Sequence, residues 1–436
     1  MDKVKPRTLT GFMELLPNEQ IEFDRFIEIL RSNYIKYGFY PLDTPVLESS
    51  AVLLAKAGGE TEQQIYRFKK GDTDLTMRFD LTVPLAKYVA LNYNELNFPF
   101  KRYQIGKVYR GERAQKGRFR EFYQADIDII GDGELSIIHD AEIPSIIYDI
   151  FKSLGIGGFK IRINNRKLLT GFFEIKQLSD NVENVLRIVD KLDKIGAEKV
   201  TAELGTIGVS AEAAADILDF VNTEGSNEER LAAAEKYAGQ NETYDAGLNE
   251  LKTVAQTVKL FGVPEENFVI DFAIARGLDY YTGTVYETVI TDHPEFGSVC
   301  SGGRYDNLAE YYTDKKLPGV GISIGATRLF SVLKESGFFD LGKTSPVDAL
   351  IIPMTQDIEY CINAMTALRK AGVKVQTYFE DKKLKKKMTY ANRINAPYAV
   401  LIGDDEIAAG KVALKDLETG EQSVCTAEEA ARIILG

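Results

Sequence analysis

The pattern of secondary-structure signals changes twice along this 436-residue chain, near residue 166 and again near residue 263. Between these points the sequence is rich in Ala, Glu, Leu and Lys and has helical periodicity. Outside them, four segments are short, rich in Val, Ile, Tyr and Phe, and bounded by turn residues. They predict strands of an antiparallel sheet, at 98–110, 120–131, 284–291 and 318–326.

Two helices are predicted in the strand-rich part. In residues 18–37 apolar residues recur at three-and-four spacing, which predicts an amphipathic helix, and residues 139–154 are predicted to form a helix packed on the sheet. We therefore expect an α+β domain formed by residues 1–165 and 263–335. A helical insertion at 166–262 would interrupt it.

Residues 345–436 have a different order of elements, in which strands and helices alternate. The predicted strands are Val347–Pro353, Val373–Tyr378 and Tyr398–Ile402, and the helices between them are Ile358–Ala371 and Leu384–Ile394. This alternation predicts a separate α/β domain with a doubly wound parallel sheet.

Charge is unevenly distributed in this chain, whose formal net charge is −12. Between Lys101 and Arg120 there are eight Lys or Arg and one acidic residue, Glu112, and five of the six residues from Lys382 to Lys387 are Lys. Two basic islands on an acidic protein suggest a polyanion held at two separate places, although each could also be a solvated face.

Compartment and membrane association are also constrained by the sequence. No apolar run approaches the roughly 20 residues that a membrane-spanning helix needs. Cys300, Cys361 and Cys425 lie far apart and form no zinc-binding spacing, which favours a reduced, cytoplasmic protein.

Two runs match common motifs in their letters, Gly321–Gly325 (Gly-x-Ser-x-Gly) and Gly337–Thr344 (Gly-x-x-x-x-Gly-Lys-Thr), but neither has the context that its chemistry needs. Ser323 lies within the predicted strand 318–326 and not at a strand-to-helix turn, and residues 337–344 precede a predicted strand and not a helix. The two histidines, His139 and His293, have no metal-ligand spacing. Catalysis would therefore depend on arginines and carboxylates, with or without Mg²⁺.

The richest group of polar residues lies at 110–128. Several cationic residues surround two glycines between two predicted strands, a combination that suits a triphosphate because guanidinium groups bind phosphate oxygens bidentately. In the second strand Gln124, Asp126 and Asp128 alternate with apolar residues, so they lie on one face. Polar groups on a face that should be core favour a ligand there, and the alternative is a solvent-facing hairpin.

Three further segments carry candidate residues. Asp80 and Thr82 could together hold an ammonium group, and Arg276 precedes a tyrosine pair in Ala275–Glu287. In Gly319–Arg328, small residues at every second position permit either close approach of a flat ligand or tight packing.

Taken together and in this order, these segments resemble the histidyl-tRNA synthetases, which are class II aminoacyl-tRNA synthetases. Helix 18–37 with Pro45 resembles the first class signature, found at a dimer interface. The segment Tyr109–Asp128 resembles the second, which binds ATP and the tRNA acceptor end, and Gly321–Arg328 resembles the third, which supplies an arginine to ATP.

Two other segments resemble sequences particular to the histidine enzymes, namely Arg276-Gly-Leu-Asp-Tyr-Tyr281 and Ser301-Gly-Gly-Arg-Tyr-Asp306. Residues 345–436 resemble the anticodon-binding domain of this subfamily. The resemblance therefore implies a class II catalytic core with a helical insertion and a C-terminal anticodon-binding domain.

The resemblance also implies site residues. The histidine-binding residues would be Asp80, Leu81, Thr82, Arg110, Gln124, Asp128, Arg276, Tyr280 and Tyr281. The ATP-binding residues would be Arg110, Glu112, Arg118 and Arg328. Asp80 and Gln124 would take the α-ammonium group, while Asp128 and Tyr281 would read the imidazole. The catalytic residues would be Arg110 and Arg276.

The implied activity is that of a histidine–tRNA ligase. The enzyme would form histidyl-adenylate from histidine and ATP, and then transfer histidine to the 3′ end of its tRNA. It would act as a cytoplasmic homodimer, with Mg²⁺ arriving with ATP and no metal site fixed by the protein alone. The 111–119 loop would hold the acceptor end, and Lys382–Lys387 the anticodon arm.

Three alternatives remain at this point. The chain could be a regulatory subunit of ATP phosphoribosyltransferase with the same core, or a silent module that senses uncharged tRNA. It could also be a class II ligase for another amino acid. The Arg276–Tyr281 run and the third domain weigh against the first, and the set Arg110, Gln124, Arg276 and Arg328 weighs against the second.

Overall fold

The computed structural model describes residues 3–55, 64–113, 117–275, 281–341 and 343–436, apart from the side chains of residues 193 and 308. The chain divides into two compact units. The first consists of Met1–Glu14 and Phe26–Glu335, and the second of Leu15–Arg25 and Ser336–Gly436. None of the helices within the described ranges is long and apolar enough to cross a membrane.

The strands of the described chain are, in order, β1 (Tyr40–Pro41), β2 (Leu47–Ser49), β3 (Arg67–Lys70), β4 (Thr73–Met77), β5 (Phe100–Tyr109), β6 (Glu121–Ile130), β7 (Phe159–Asn165), β8 (Phe268–Ile270), β9 (Thr284–Ile290), β10 (Ser298–Tyr305), β11 (Gly319–Ile324), β12 (Ala349–Pro353), β13 (Val375–Thr377), β14 (Tyr398–Ile402), β15 (Val412–Asp416) and β16 (Gln422–Cys425).

The α-helices are α1 (Pro17–Lys36), α2 (Ser50–Leu53), α3 (Thr82–Leu91), α4 (Ile138–Ser153), α5 (Arg166–Ile175), α6 (Val182–Val189), α7 (Leu192–Ile195), α8 (Ala197–Thr206), α9 (Ala211–Val221), α10 (Asn227–Ala234), α11 (Glu242–Leu260), α12 (Ala326–Glu335), α13 (Ile358–Lys370), α14 (Leu384–Arg393), α15 (Asp404–Ala408) and α16 (Ala427–Leu435).

The first unit is built on an eight-stranded sheet with the order β1-β5-β6-β11-β10-β9-β7-β8. The six inner strands are antiparallel to their neighbours, which confirms the predicted antiparallel sheet. The short edge strands β1 and β8 are the exceptions, since each pairs in parallel with its neighbour. A smaller three-stranded sheet, β2-β4-β3, also belongs to this unit.

The two faces of the large sheet differ because side chains alternate along each strand. Ala125, Ile127 and Ile129 of β6 are fully buried on one face. Helices cover this face: the Tyr34 hydroxyl of α1 donates to the Ala125 carbonyl at 3.0 Å, and Phe151 of α4 lies 5.0 Å from Phe159, centroid to centroid. The opposite face carries the polar residues of β6 and holds the candidate site.

Helices α5 to α11 follow one another between β7 and β8, where the helical segment was predicted. Aromatic packing joins them to the chain that follows β8, since Phe220 stacks on Phe172 at 4.2 Å and on Phe272 at 4.7 Å between ring centroids. Their assignment to a separate insertion domain with bounds 166 and 262 stays a prediction.

The second unit contains a five-stranded sheet with the order β13-β12-β14-β15-β16. Strands β13, β12 and β14 are parallel, as the alternation predicted. Strands β15 and β16, which were not predicted from the sequence, extend the sheet in antiparallel fashion. They form a hairpin whose turn is stabilised by Asp416, which accepts hydrogen bonds from the amides of Glu418 and Thr419 at 2.8 Å each.

Helices lie on both faces of this second sheet. Ile351 of β12 packs with Leu368 of α13 and Ala430 of α16 on one side. Its neighbour Leu350 packs with Ala391 of α14 on the other side. A strand buried on both faces explains why Ala349–Pro353 is a continuous apolar run rather than an alternating one.

Candidate active site

The polar face of the large sheet is formed mainly by β5 and β6. In their antiparallel register Asp128 lies opposite Arg102, and Asp126 lies opposite Gln104. Asp126 and Asp128 are 2% and 3% exposed, so their carboxylates are inside the protein and not on a solvent-facing hairpin. The predicted common face is therefore correct, and its burial means that these charges need partners.

Arg102 supplies one of these partners. Its Nη2 atom lies 2.6 Å from Oδ2 of Asp128, and the same nitrogen donates to the Leu81 carbonyl at 3.2 Å. The Tyr305 hydroxyl donates to the other Asp128 oxygen, Oδ1, at 2.7 Å. Burial raises the pKa of Asp128, whereas Arg102 and the Tyr305 hydrogen bond oppose that shift.

Arg102 and Tyr305 were not among the predicted site residues. Arg102 appeared only as one member of a basic island, although an arginine opposite an aspartate at a core position signals a buried ion pair. Tyr305 lies 177 residues from Asp128 in the chain, so only the strand order brings them together.

Asp80 lies just before α3. Its Oδ1 atom accepts a hydrogen bond from the Val83 amide at 3.1 Å, in the first turn of that helix, while Thr82 is the first helical residue. Its Oδ2 atom is buried and has no hydrogen-bond partner among the described residues. Burial raises the pKa of Asp80 to about 6, and Arg110 and Arg102 lower it in part.

Gln124 is also buried, at 9% exposure. Its Nε2 atom donates to the Ser323 hydroxyl of β11 at 2.8 Å. Its Oε1 atom is buried without a hydrogen-bond partner in the described part of the chain. Oδ1 of Asp126 is in the same position, so three acceptor atoms of these residues, Oδ2 of Asp80, Oε1 of Gln124 and Oδ1 of Asp126, remain for a donor that the described protein groups do not supply.

Arg110 immediately follows β5 and is held from two sides. Its Nε atom donates to the Phe79 carbonyl at 3.0 Å, and its guanidinium carbon lies 5.2 Å from the centroid of the Phe122 ring. Because it lowers the pKa of Asp80 electrostatically, it is part of the same charged region. The structure therefore brings together Asp80, Arg110 and the carboxylates of β6.

Three other predicted residues form a more open group. Arg118 is 55% exposed in its side chain, with Nη1 3.7 Å from Oε2 of Glu112. Gly117 lies against the side chain of Arg328, whose guanidinium donates to the Phe296 carbonyl. Residues 114–116 of this loop lie outside the described residues.

Of the Arg276–Tyr281 run, only Tyr281 lies within the described residues, so the roles of Arg276 and Tyr280 stay predictions. The Tyr281 side chain packs with Tyr305. A Cβ atom on Gly303 would lie 2.6 Å from the Thr284 carbonyl oxygen and 3.0 Å from Cδ1 of Tyr281, so the glycine makes room for the neighbouring strand and for this ring.

The glycines of β11 also leave space for neighbouring side chains and backbone. A Cβ atom on Gly321 would lie 2.4 Å from Oδ1 of Asp128, and one on Gly319 would lie 2.4 Å from the Tyr305 ring. These two glycines therefore fit against neighbouring strands of the sheet. The two interpretations of the small residues at 319–325, close approach of a flat ligand and tight strand–helix packing, stay predictions.

Arg304, next to Tyr305, points to the helix-covered face. Its Nε and Nη2 atoms bond both oxygens of Asp140 on α4, at 3.0 and 2.6 Å for the shortest contacts. Thr284 and Tyr286 also donate to Asp140, through its carboxylate and its backbone carbonyl respectively. These contacts of the Ser301–Asp306 segment hold α4 against the sheet.

The second basic island is mostly exposed, with one exception. Lys387 is buried, and its Nζ atom donates to the Pro353 carbonyl at 2.7 Å. The expectation that all five lysines of 382–387 face a polyanion is therefore wrong for Lys387. Lys382, Lys383, Lys385 and Lys386 are exposed.

Two protein families match this chain. A family model described as histidyl-tRNA synthetase matches residues 11–329, and one described as anticodon binding domain matches residues 348–436.

Individual relatives match over nearly the whole length. A histidine–tRNA ligase of Clostridium tetani is 54% identical over 434 residues, which are 99% of each chain. The crystal structure of histidyl-tRNA synthetase from Nostoc sp. PCC 7120 is 42% identical, covers 99% of both chains and superposes with a TM-score of 0.91. A Bacillus halodurans structure described as an ATP phosphoribosyltransferase regulatory subunit/histidyl-tRNA synthetase shares the fold, with a TM-score of 0.72, at 19% identity.

Proposed function

Because this chain belongs to the histidyl-tRNA synthetase family, we propose that the polar face of its eight-stranded sheet is where histidine and ATP react. The chain is a histidine–tRNA ligase, which activates histidine with ATP and transfers it to tRNA. The regulatory-subunit alternative is not supported, since relatives that are 46–54% identical over nearly the full length are histidine–tRNA ligases.

The observation that carries the assignment is the pair of unsatisfied acceptors, Oδ2 of Asp80 and Oε1 of Gln124. An α-ammonium group has three N–H donors and a positive charge, so it suits an ionised carboxylate beside an amide oxygen. Leu81 contributes to the histidine site through its backbone, whose carbonyl accepts a hydrogen bond from Arg102. Thr82 contributes to the same site from its position as the first residue of α3.

The imidazole end of histidine is assigned to Asp128 and Tyr281, and Tyr280 is proposed as a further residue of the histidine pocket. Asp128 is held in place by Arg102 and Tyr305, so it needs no rearrangement to accept an imidazole N–H. A site that hydrogen-bonds both ring nitrogens rejects apolar analogues by roughly 10⁴–10⁵, so no editing site is needed.

In the first step a carboxylate oxygen of histidine attacks the α-phosphorus of ATP. A new P–O bond forms, the bond to the bridging oxygen of the β-phosphate breaks, and pyrophosphate leaves. Arg110 and Arg276 neutralise the charge that builds on the α-phosphate. Glu112, Arg118 and Arg328 bind the rest of ATP, and Mg²⁺ enters as part of the ATP substrate.

In the second step a hydroxyl of the terminal ribose of tRNA attacks the carbonyl carbon of histidyl-adenylate. An ester forms, the carbonyl–phosphate bond breaks, and AMP leaves. The 111–119 loop holds the acceptor end, and helices in the range 166–262 clamp the acceptor stem.

The anticodon arm is assigned to the second unit. The exposed residues Lys382, Lys383, Lys385 and Lys386 supply the positive charge that phosphate contacts require. Nearby in sequence, Phe379 is 52% exposed and lies two residues after β13, at the carboxyl end of the parallel strands. An exposed aromatic ring beside lysines suits an unstacked base, and ligands of such sheets bind at this edge.

A cytoplasmic homodimer is the proposed assembly, with α1 and the segment around Pro45 at the interface. The side chains of Ile35, Tyr40 and Leu47 are 55%, 67% and 43% exposed, so this region offers apolar surface to a second copy. Light scattering at micromolar concentration should give a mass near twice 48.6 kDa, and a 48.6 kDa particle would refute the dimer.

The experiment for the whole proposal is exchange of labelled pyrophosphate into ATP with each amino acid in turn. Histidine alone should support exchange. Arg276→Ala should slow it by about 10²–10³ while changing histidine binding much less. Unchanged turnover in that variant would remove Arg276 from the catalytic step.

A further inference from the structure

We propose that Asp126 and Ser323 are positioning residues which fix the amide of Gln124, so that its oxygen and not its nitrogen faces the substrate ammonium group. This inference rests on the proposed role of Gln124 in binding that group. Neither Asp126 nor Ser323 is among the site residues that the sequence resemblance implied. Both lie on the polar face of the sheet, in neighbouring strands.

The orientation of an amide decides whether it attracts or repels a cation. With Nε2 on the Ser323 hydroxyl at 2.8 Å, Gln124 presents Oε1 to the site, and this oxygen has no hydrogen-bond partner within the described chain. A flipped amide would instead place two N–H donors against an ammonium group. Since Gln124 is 9% exposed, little water is present to weaken either effect.

Ser323 alone cannot select the orientation, because a hydroxyl both donates and accepts. It has only one proton, however. If that proton is committed elsewhere, the oxygen can only accept, and only the Nε2 side of Gln124 can satisfy it. The orientation therefore depends on what receives the Ser323 proton.

Asp126 is that receiver. It lies directly opposite Ser323 in the β6–β11 ladder, a position at which facing side chains are within contact distance. From this position the Ser323 hydroxyl lowers the pKa of Asp126, the effect that a donated hydrogen bond has on a carboxylate. A carboxylate can only accept, so the direction of the chain is fixed: Gln124 donates to Ser323, and Ser323 donates to Asp126.

Opposing effects of its surroundings act on the pKa of Asp126. Burial raises its pKa to about 7, and the charges of Asp128 and Asp80 act in the same direction. Arg102 favours the ionised form, and Gln104 is its uncharged neighbour across β5. A bound ammonium group adds positive charge to this region and so favours the ionised state that the relay needs.

The test uses the full-length enzyme and three histidine-site ligands: histidine, histidinol, and imidazolepropionate, which lacks the amino group. Ser323→Ala frees the Gln124 amide, so KM for histidine in pyrophosphate exchange should rise roughly tenfold, as for loss of one hydrogen bond to a charged group. The inhibition constant of histidinol should rise equally. That of imidazolepropionate should stay within about twofold.

Asp126→Asn should have a larger effect than Ser323→Ala. The new amide can donate to Ser323, whose proton then turns to Oε1 of Gln124 and presents N–H groups to the ammonium. In the Ser323→Ala background the same Asp126→Asn change should add little, because the hydroxyl that links Asp126 to Gln124 is already absent. Ser323→Thr keeps the hydroxyl and should restore histidine KM to within about threefold.

Thr288→Val is the matched control, since it removes a buried strand hydroxyl next to Cys300 on the helix-covered face. It should leave all three ligands unaffected. If Gln124→Ala leaves histidine and histidinol binding unchanged, the proposed ammonium site itself is wrong. If Gln124→Ala weakens both but Ser323→Ala and Asp126→Asn weaken imidazolepropionate equally, the relay is wrong. Should Ser323→Ala not fold, the comparison of Asp126→Asn with Ser323→Thr decides the same question.

Discussion

Arg102 and Asp128 face each other across β5 and β6, with Nη2 of the guanidinium 2.6 Å from Oδ2 of the carboxylate and side chains 0% and 4% exposed. This pair connects the backbone of Leu81 to the carboxylate assigned to the imidazole. It also places a positive charge among three buried acidic groups, Asp80, Asp126 and Asp128.

Breaking this pair should be costly. Arg102→Met leaves Asp128 buried without its counter-charge, so the free energy of unfolding should fall by about 3–5 kcal/mol. Arg67→Met is the matched control, because Arg67 forms an ion pair with Asp74 and its side chain is 50% exposed. That change should cost about 1 kcal/mol or less. Equal losses in denaturant titrations of the two variants would contradict the role given to Arg102.

Stability should depend on pH through Asp126. A carboxyl whose pKa rises from 3.8 to about 7 on folding holds its proton more tightly in the folded state, so its contribution to stability falls as pH rises through this range. Asp126→Asn has no carboxyl at this position, so it does not lose this stability as pH rises. The variant should therefore gain more apparent melting temperature over the parent at pH 8 than at pH 5, with ceilings of roughly 4 kcal/mol at pH 8 and roughly 2 kcal/mol at pH 5.

Asp416→Asn provides the control of opposite sign. Backbone hydrogen bonds from Thr419 and Glu418 lower the pKa of Asp416, so it is ionised at both pH values and its replacement should shift melting equally at pH 5 and pH 8. A melting difference for Asp126→Asn that is the same at both pH values would show that Asp126 does not titrate in this range.

Much of the fold follows from local pattern, and the predicted bounds of α1 and α4 are each one residue from those observed. The shared face of Gln124, Asp126 and Asp128 also follows, because it depends only on the two-residue period of one strand. Partners across strands do not follow from such patterns. Arg102 meets Asp128 only through the β5–β6 register, and Tyr305 meets it only through the strand order of the sheet.

The elements missed in the second unit have a related cause. Strand β16 is largely exposed and polar, so it has neither an apolar run nor a clear alternation. It becomes a strand by pairing with β15. Likewise, nothing in the run of lysines distinguishes Lys387 from its neighbours until α14 turns it toward the Pro353 carbonyl.

Gly321 should tolerate no side chain. A Cβ atom there would lie 2.3 Å from the Ile127 carbonyl oxygen and 2.4 Å from Oδ1 of Asp128, so Gly321→Ala must displace one of them. We expect a loss of about 1–3 kcal/mol in stability and weaker histidine binding by calorimetry. Gly157→Ala, where a Cβ meets no described atom within 4 Å, should be neutral. Unchanged histidine affinity in Gly321→Ala would argue against Asp128 as a histidine contact.

The exposed lysines at 382–386 should affect tRNA but not adenylate formation. Replacing Lys382, Lys383, Lys385 and Lys386 by Ala should raise KM for tRNA in aminoacylation and reduce its salt dependence, by roughly 0.7–0.9 in logarithmic slope per lost phosphate contact. Pyrophosphate exchange without tRNA should be unchanged. The control is Lys370→Ala with Lys374→Ala, two exposed lysines on the amino-terminal side of β13, one at the end of α13 and one just before β13. Equal effects of the two sets would mean that the charge of the unit matters and its location does not.

The most direct test of the central claim is histidine-dependent pyrophosphate exchange in the wild-type enzyme and in Arg110→Ala. Arg110 lies at the end of β5, between the Phe79 carbonyl and the Phe122 ring, in the charged region around Asp80. If the polar face of the sheet forms histidyl-adenylate, histidine alone should support exchange, and Arg110→Ala should lower kcat by about 10²–10³ with its fold intact. Full turnover in Arg110→Ala would contradict it.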